Sequence, residues 1–294
     1  MLEVSKINKS FTGRRVLRDV SFDVAGGRIT GFVGRNGAGK TTTMRIMLGV
    51  LAADSGEVRL DKQSLTADDR RRFGYMPEER GLYPKMPIGE QLGYLARLHG
   101  LSASRARHNT TDLLDKLGLA ERSGDRVETL SLGNQQRAQV AAALVHDPEA
   151  LILDEPFSGL DPLAVDVVLA VLKERADAGV PVLFSSHQLD IVEQLCDDLV
   201  IIADGTIRAT GDRDALRRQY AGSTYQATFG FDAGWLRDQS GVQVIEFDGP
   251  HAIFETDSAD AAQAVLTRAV ERGPVLSFTP RRPRLAEIFK EVIQ

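Results

Sequence analysis

Gly34-Arg35-Asn36-Gly37-Ala38-Gly39-Lys40-Thr41 fits G-x-x-x-x-G-K-[ST], the spacing of a loop that cradles nucleotide phosphates. Ile29-Thr30-Gly31-Phe32-Val33 before it reads as a short buried strand, and Thr42-Thr43-Met44-Arg45-Ile46-Met47-Leu48 after it as an amphipathic helix. The strand–loop–helix context gives the motif its meaning. Gly34, Gly37 and Gly39 let the backbone N–H groups around Asn36 and Ala38 converge on one concavity, and the helix start at Thr42 adds a partial positive charge. Lys40 is expected on the β- and γ-phosphates, and the Thr41 hydroxyl on Mg²⁺.

The 294 residues suit one large domain followed by a small one. With 43% hydrophobic and 26% charged residues the composition is that of an ordinary globular chain. A net charge of −5 argues against a general nucleic-acid binder. Cys196 stands alone, so an intrachain disulfide is excluded. Met1–Ile7 is too polar to read as a signal peptide, and no apolar run approaches the roughly 18 residues that span a bilayer. Any work at a membrane is expected from its surface, through a partner.

Around the loop, 2–8 and 16–24 alternate as strands, 55–60 is turn plus strand, and 88–99, 103–117 and 133–146 form a mostly helical insert over roughly 85–146. Parallel-sheet grammar then returns: strand 151–153, helix 162–178, strand 180–184, helix 188–195, and a hairpin around Asp204-Gly205. A boundary near 218–223 separates residues 1–218 from 223–294. The latter read as short strands (224–230, 242–247, 252–256, 275–279) and helices (258–271, 285–292), a small α+β domain.

Leu151-Ile152-Leu153-Asp154-Glu155 is an apolar strand ending in two carboxylates. Beside a phosphate loop, Asp154 is suited to hold Mg²⁺ and Glu155 to polarise a water in line with the γ-phosphate; the plain alternative is a strand end with two solvated acids. Leu130-Ser131-Leu132-Gly133-Asn134-Gln135-Gln136 is the third element. Here the chain resembles the ATP-binding cassette (ABC) family, whose signature is usually written L-S-G-G-Q. Leu132 and Asn134 depart from that pattern; Ser131 and Gly133 match it, at positions the resemblance implies for γ-phosphate contact. Ser131 also reads as a helix N-cap.

The resemblance covers roughly 2–217. It implies an α/β phosphate-loop ATPase domain with a mixed sheet core, an antiparallel β subdomain and a helical insert. It also implies that two subunits meet head to tail and enclose two ATP molecules. Ser158-Gly159-Leu160-Asp161 resembles the loop that crosses that interface, although Asp161 before Pro162 equally reads as an N-cap. His187 matches the switch histidine on γ-phosphate, and Phe11 the aromatic that stacks on adenine; their plain readings are a strand-end surface residue and core packing. Where the family usually has Gln, this chain has Glu78, a third candidate Mg²⁺ ligand that is expected to make nucleotide binding more Mg²⁺-dependent.

Pro283-Arg284-Leu285-Ala286-Glu287-Ile288-Phe289 resembles the end of bacterial drug-, ion- or polysaccharide-exporter cassettes. The functional expectation is therefore a cytoplasmic ATPase subunit on the inner face of the membrane, a homodimer driving export through a separate permease with ATP and Mg²⁺. The permease is expected near 75–100, with Tyr83-Pro84-Lys85-Met86-Pro87 as candidate contact; a Pro-rich turn is its plain reading. Arg281, Arg282 and Arg284 read as a solvated turn, with anionic lipid as the alternative. An importer ATPase, a soluble cassette ATPase on ribosome or DNA, and a kinase remain as other readings. A kinase has no use for the signature.

Overall fold

The computed structural model describes residues 1–79 and 81–293. Two compact units emerge, Met1–Arg213 and Asp214–Val292. The division falls at 213/214 rather than at 218–223. The short helix that begins at Arg213 belongs mostly with the second unit, where the Arg217 guanidinium donates to the Pro283 carbonyl at 3.1 Å.

In the first unit β1 (Leu2–Phe11) and β2 (Arg14–Val24) form a hairpin. Its turn, Thr12-Gly13, has φ of 45° and 82°, the double positive φ that tight hairpins favour. The turn leaves Phe11 at the hairpin end, 42% exposed, so the residue is not core. β3 (Ile29–Val33), α1 (Lys40–Met47), β4 (Ser55–Leu60), β5 (Gln63–Ser64), α2 (Ala67–Arg70) and β6 (Phe73–Met76) follow. The helical insert comprises α3 (Ile88–Leu98), α4 (Ala103–Lys116) and α5 (Leu132–Leu144). β7 (Ala150–Asp154), α6 (Pro162–Asp177), β8 (Val182–Ser186), α7 (Leu189–Leu195), β9 (Asp198–Ala203) and β10 (Thr206–Asp212) complete the unit.

The strands make two sheets. One is antiparallel, ordered β2-β1-β4-β5; the other is ordered β10-β9-β3-β8-β7-β6 and is parallel except at β10. β3, β7 and β8 are buried along their whole length, as strands covered on both faces must be. All three point their C-terminal ends to one edge, the place where parallel sheets bind ligands. The phosphate loop leaves β3 there. Asp154 ends β7, and Ser185 and Ser186 end β8.

Two strand limits differ from the sequence reading. β8 starts at Val182 and runs on through Ser186, not over 180–184: Pro181 has no N–H to give a ladder and uses only its carbonyl, which accepts from Leu151 at 2.9 Å. Tyr75-Met76 end an edge strand, β6, that the sequence reading does not include, paired with Ile152 and Leu153.

In the second unit α8 (Arg213–Gln219) precedes β11 (Thr224–Phe229), β12 (Val242–Asp248), β13 (His251–Thr256), α9 (Ala259–Arg272), β14 (Val275–Pro280) and α10 (Leu285–Ile293). The sheet is antiparallel, ordered β12-β13-β11-β14. Phe229, Leu236, Phe254, Val265 and Ala269 form its core. Arg281 pairs with Glu287 at 2.7 Å.

Candidate nucleotide site

A cavity of about 1030 Å³ opens at the C-terminal edge of the parallel strands. Phe11, Asn36, Gly37, Gly39, Lys40, Thr41, Thr42, Glu78, Asp154 and Glu155 line it, together with Arg14, Arg15, Arg18 and Asp204. The loop's shape comes from its glycines. Gly39, the cap of α1, has φ 112°, and a Cβ there would lie 2.6 Å from the Leu17 side chain. Gly34 and Ala38 do not line the cavity. Their carbonyls brace it instead: Gly34 accepts from Lys40 Nζ at 2.7 Å, and Ala38 from the Gly205 N–H at 3.1 Å.

Lys40 is buried and its pKa is lowered, first by burial and against the pull of Glu155, Asp154 and Glu78. With one of its three protons on Gly34, the ammonium keeps donors for an anion in the cavity. The Thr41 hydroxyl donates to Asp154 Oδ2 at 2.9 Å, and the Ser185 hydroxyl bonds Asp154 Oδ1. Thr41, Asp154 and the cavity-lining Glu78 thus form an oxygen-only donor set, the kind a hard divalent cation takes, and they fit Mg²⁺.

Glu155 has φ 52°, an uncommon conformation for a non-glycine residue. Its N–H donates to Ser185 Oγ at 3.0 Å, and its carboxylate meets His187 Nδ1 at 2.9 Å. Burial raises the Glu155 pKa, opposed by His187 and Lys40. A partly desolvated carboxylate held by an imidazole is a suitable proton acceptor for water.

The phosphate loop, Phe11, Glu78, Asp154, Glu155 and His187 therefore come together in one chain. Ser131, Gly133 and Asp161 do not line the cavity. Ser131 is exposed and caps α5, accepting from the Asn134 N–H at 3.4 Å. Gly133 lies against Leu160 and the Gly159 carbonyl, and Asp161 Oδ1 caps α6 by accepting from the Ala164 N–H at 2.8 Å. Both N-cap readings hold.

Two contributors escaped the sequence reading. Ser185 bridges Asp154 to the Glu155 backbone through the parallel register that pairs Asp154 with Ser185, which no motif displays. Gln136 reaches the Glu155 carbonyl from α5 at 2.9 Å.

Comparison with known proteins places the chain in a family. The family described as "ABC transporter" matches residues 17–158, and "ATP-binding protein DrrA1-3-like, C-terminal domain" matches 211–293. The ABC transporter ATP-binding protein YhaQ of Bacillus subtilis is 33% identical over 293 residues, covering 100% of this chain and 98% of that protein. The Nod factor export ATP-binding protein I of Paraburkholderia xenovorans is 36% identical over 98% of this chain and 95% of its own. A solved ATP-binding subunit of an ABC transporter superposes with a TM-score of 0.70 at 34% identity, covering 75% of this chain and 93% of that one. The chain belongs to the ABC transporter ATP-binding proteins: it is an ATPase built on the phosphate-loop ABC fold, with a DrrA-like C-terminal domain.

Proposed function

We propose that this ATPase works as a head-to-tail homodimer enclosing two ATP molecules and drives export through a separate membrane permease. The observation that carries the reading is the separation, within one chain, of the phosphate-loop cavity from the signature end of α5. The cavity holds the loop, Asp154 and Glu155, while the signature end of α5 lies outside it with Ser131 exposed. A helix N-terminus bearing Ser and Gly attracts anions, and only a second copy brings it to this cavity.

In this reading Phe11 stacks on adenine; Asn36, Gly37, Gly39, Lys40 and Thr42 hold the phosphates, with Gly34 and Ala38 bracing the loop. Thr41, Asp154 and Glu78 hold Mg²⁺, which when bound neutralises phosphate charge. Glu155 takes a proton from the attacking water. His187 orients that carboxylate and meets the γ-phosphate. Ser131, Gly133 and Asp161 act across the interface. Export is supported by the C-terminal domain and by the export role named for the Paraburkholderia relative.

Among the described residues no helix is long and apolar enough to cross a membrane. The permease, on this reading, is met at the inner face of the membrane from the cytoplasm, through the 83–87 turn. Tyr83 is 71% exposed there, and the turn is held rigid by buried Gln91, whose Oε1 accepts from the Tyr83 N–H at 2.7 Å. The decisive experiment is size-exclusion mass analysis of Glu155→Gln with and without Mg-ATP, in solution and with detergent-solubilised permease. An ATP-dependent doubling of mass is expected. A monomer under every condition overturns the homodimer.

A further inference from the structure

Glu155 keeps its left-handed backbone because its surroundings hold it there against a conformational cost. Three hydrogen bonds fix the peptide groups on either side. The Glu155 N–H donates to Ser185 Oγ at 3.0 Å. The Glu155 carbonyl accepts from the Ser158 N–H at 3.2 Å and from Gln136 Nε2 at 2.9 Å. The first two partners belong to the sheet and to the loop after β7. Gln136 alone comes from the helical insert.

Gln136 is itself buried, on a helix that also buries Gln135 and Gln139. Its amide is spent on one carbonyl, and that carbonyl belongs to the residue whose carboxylate faces His187. The angle at which the carboxylate leaves the backbone follows the two peptide planes, so a shift of α5 re-aims it.

We infer that Gln136 is a positioning residue for hydrolysis, tying the Glu155 backbone to α5 so that the carboxylate is aimed only while α5 rests against the end of β7. The inference rests on Glu155 being the proton acceptor. Ser131, at the signature end of α5, precedes Gln136 by five residues, about 7.5 Å along the helix axis. A phosphate that seats the signature end of α5 thereby sets the Glu155 of the same chain through one side-chain amide.

The test uses the full chain. Gln136→Met keeps the length of the side chain and removes its donor; Gln136→Glu keeps the shape and presents an acceptor to the carbonyl. In both, kcat falls about 10- to 100-fold while KM for ATP stays within about twofold, the signature of a misaimed group rather than of lost binding. Adding Gln136→Met to Glu155→Gln leaves the ATP-driven mass shift intact. Wild-type kcat in either Gln136 variant overturns the inference. So does a fall in kcat matched by a rise in KM, or a mass shift abolished only by the added Gln136→Met, since Gln136 then serves binding or assembly. Normal turnover in Glu155→Gln alone instead removes Glu155 as proton acceptor, and the inference falls with it; an inactive Glu155→Gln beside a fully active Gln136→Met sinks the inference only.

Discussion

Replacing Ser185 by Ala removes one oxygen that serves both carboxylate residues. Ser185 is fully buried at the end of β8, its hydroxyl bonding Asp154 Oδ1 and accepting from the Glu155 N–H at 3.0 Å. The bond to the carboxylate is charge-assisted, worth roughly 1.5–3 kcal/mol; stranding the buried N–H costs roughly 1–3 kcal/mol more. The expected loss is about 3–5 kcal/mol. For a unit of this size each kcal/mol is roughly 2–4 °C, so the midpoint should fall by about 10 °C. Because the chain has two units, the transition to follow is the one that Mg-ATP raises, since ligand stabilises only the unit that binds it. Ser186→Ala is the control: its hydroxyl accepts from the Gln188 N–H at 3.0 Å, and its loss should cost about 1 kcal/mol. With Glu155 freed at its N–H, kcat should drop about tenfold or more. A shift under about 2 °C with unchanged turnover would refute the bridging role of Ser185.

Three further outcomes are expected. Lys40→Ala should weaken ATP binding about 10- to 100-fold in equilibrium titration, since it deletes a charged donor; unaltered affinity would remove Lys40 from the phosphate site. Glu78→Gln should lessen the Mg²⁺ dependence of ATP binding by about fivefold, a modest figure because Glu78 is solvent-exposed; an identical Mg²⁺ dependence would exclude it as a ligand. His146, stacked on His99 with ring centroids 3.8 Å apart, has its pKa lowered to about 4, first by burial and then by the charge of His99. The unfolded chain takes up that proton first, so the stability contributed is full above about pH 6.5 and is lost as pH falls to about 4, roughly 3 kcal/mol in all. His146→Gln should flatten that part of the denaturation profile, and an unchanged acid limb would show that other groups govern it.

The fold was legible wherever a local pattern carried it. The phosphate loop lies between a mostly apolar strand and an amphipathic helix, and the 151–155 strand carries its two acids in plain view. Apolar content points to Val180–Phe184 as the strand, whereas backbone hydrogen bonding, blocked at Pro181, sets its limit. The same cause hides Ser185. Read as loop, it is a polar residue before a histidine; seen in β8, it is the partner that parallel register sets beside Asp154. Edge strand β6 was hidden for the opposite reason, being only four residues, Phe73–Met76, just before the Pro77-Glu78 turn.

What stayed illegible in the site shares one physical cause. Lys40 and Thr41 belong to one local motif, and Asp154 and Glu155 to another, so their residue types betray them. Ser185 and Gln136 act through hydrogen bonds to the Asp154 carboxylate and to the Glu155 backbone, and a backbone partner asks only for a donor or acceptor at the right point. Gln136 sits 19 residues before Glu155, on a helix whose other glutamines have different tasks: Gln135 donates to the Leu130 carbonyl and Gln139 accepts from the Gly81 N–H. Buried glutamines on a helix are costly unless they find partners; Gln139 uses only its Oε1, its buried Nε2 having no partner among the described residues, yet the three side chains together reach the signature end, the proton-accepting residue and the loop after Glu78. A helix wired to all three moves none of them independently. That is the physical argument for treating the insert as part of the catalytic apparatus rather than as a lid upon it.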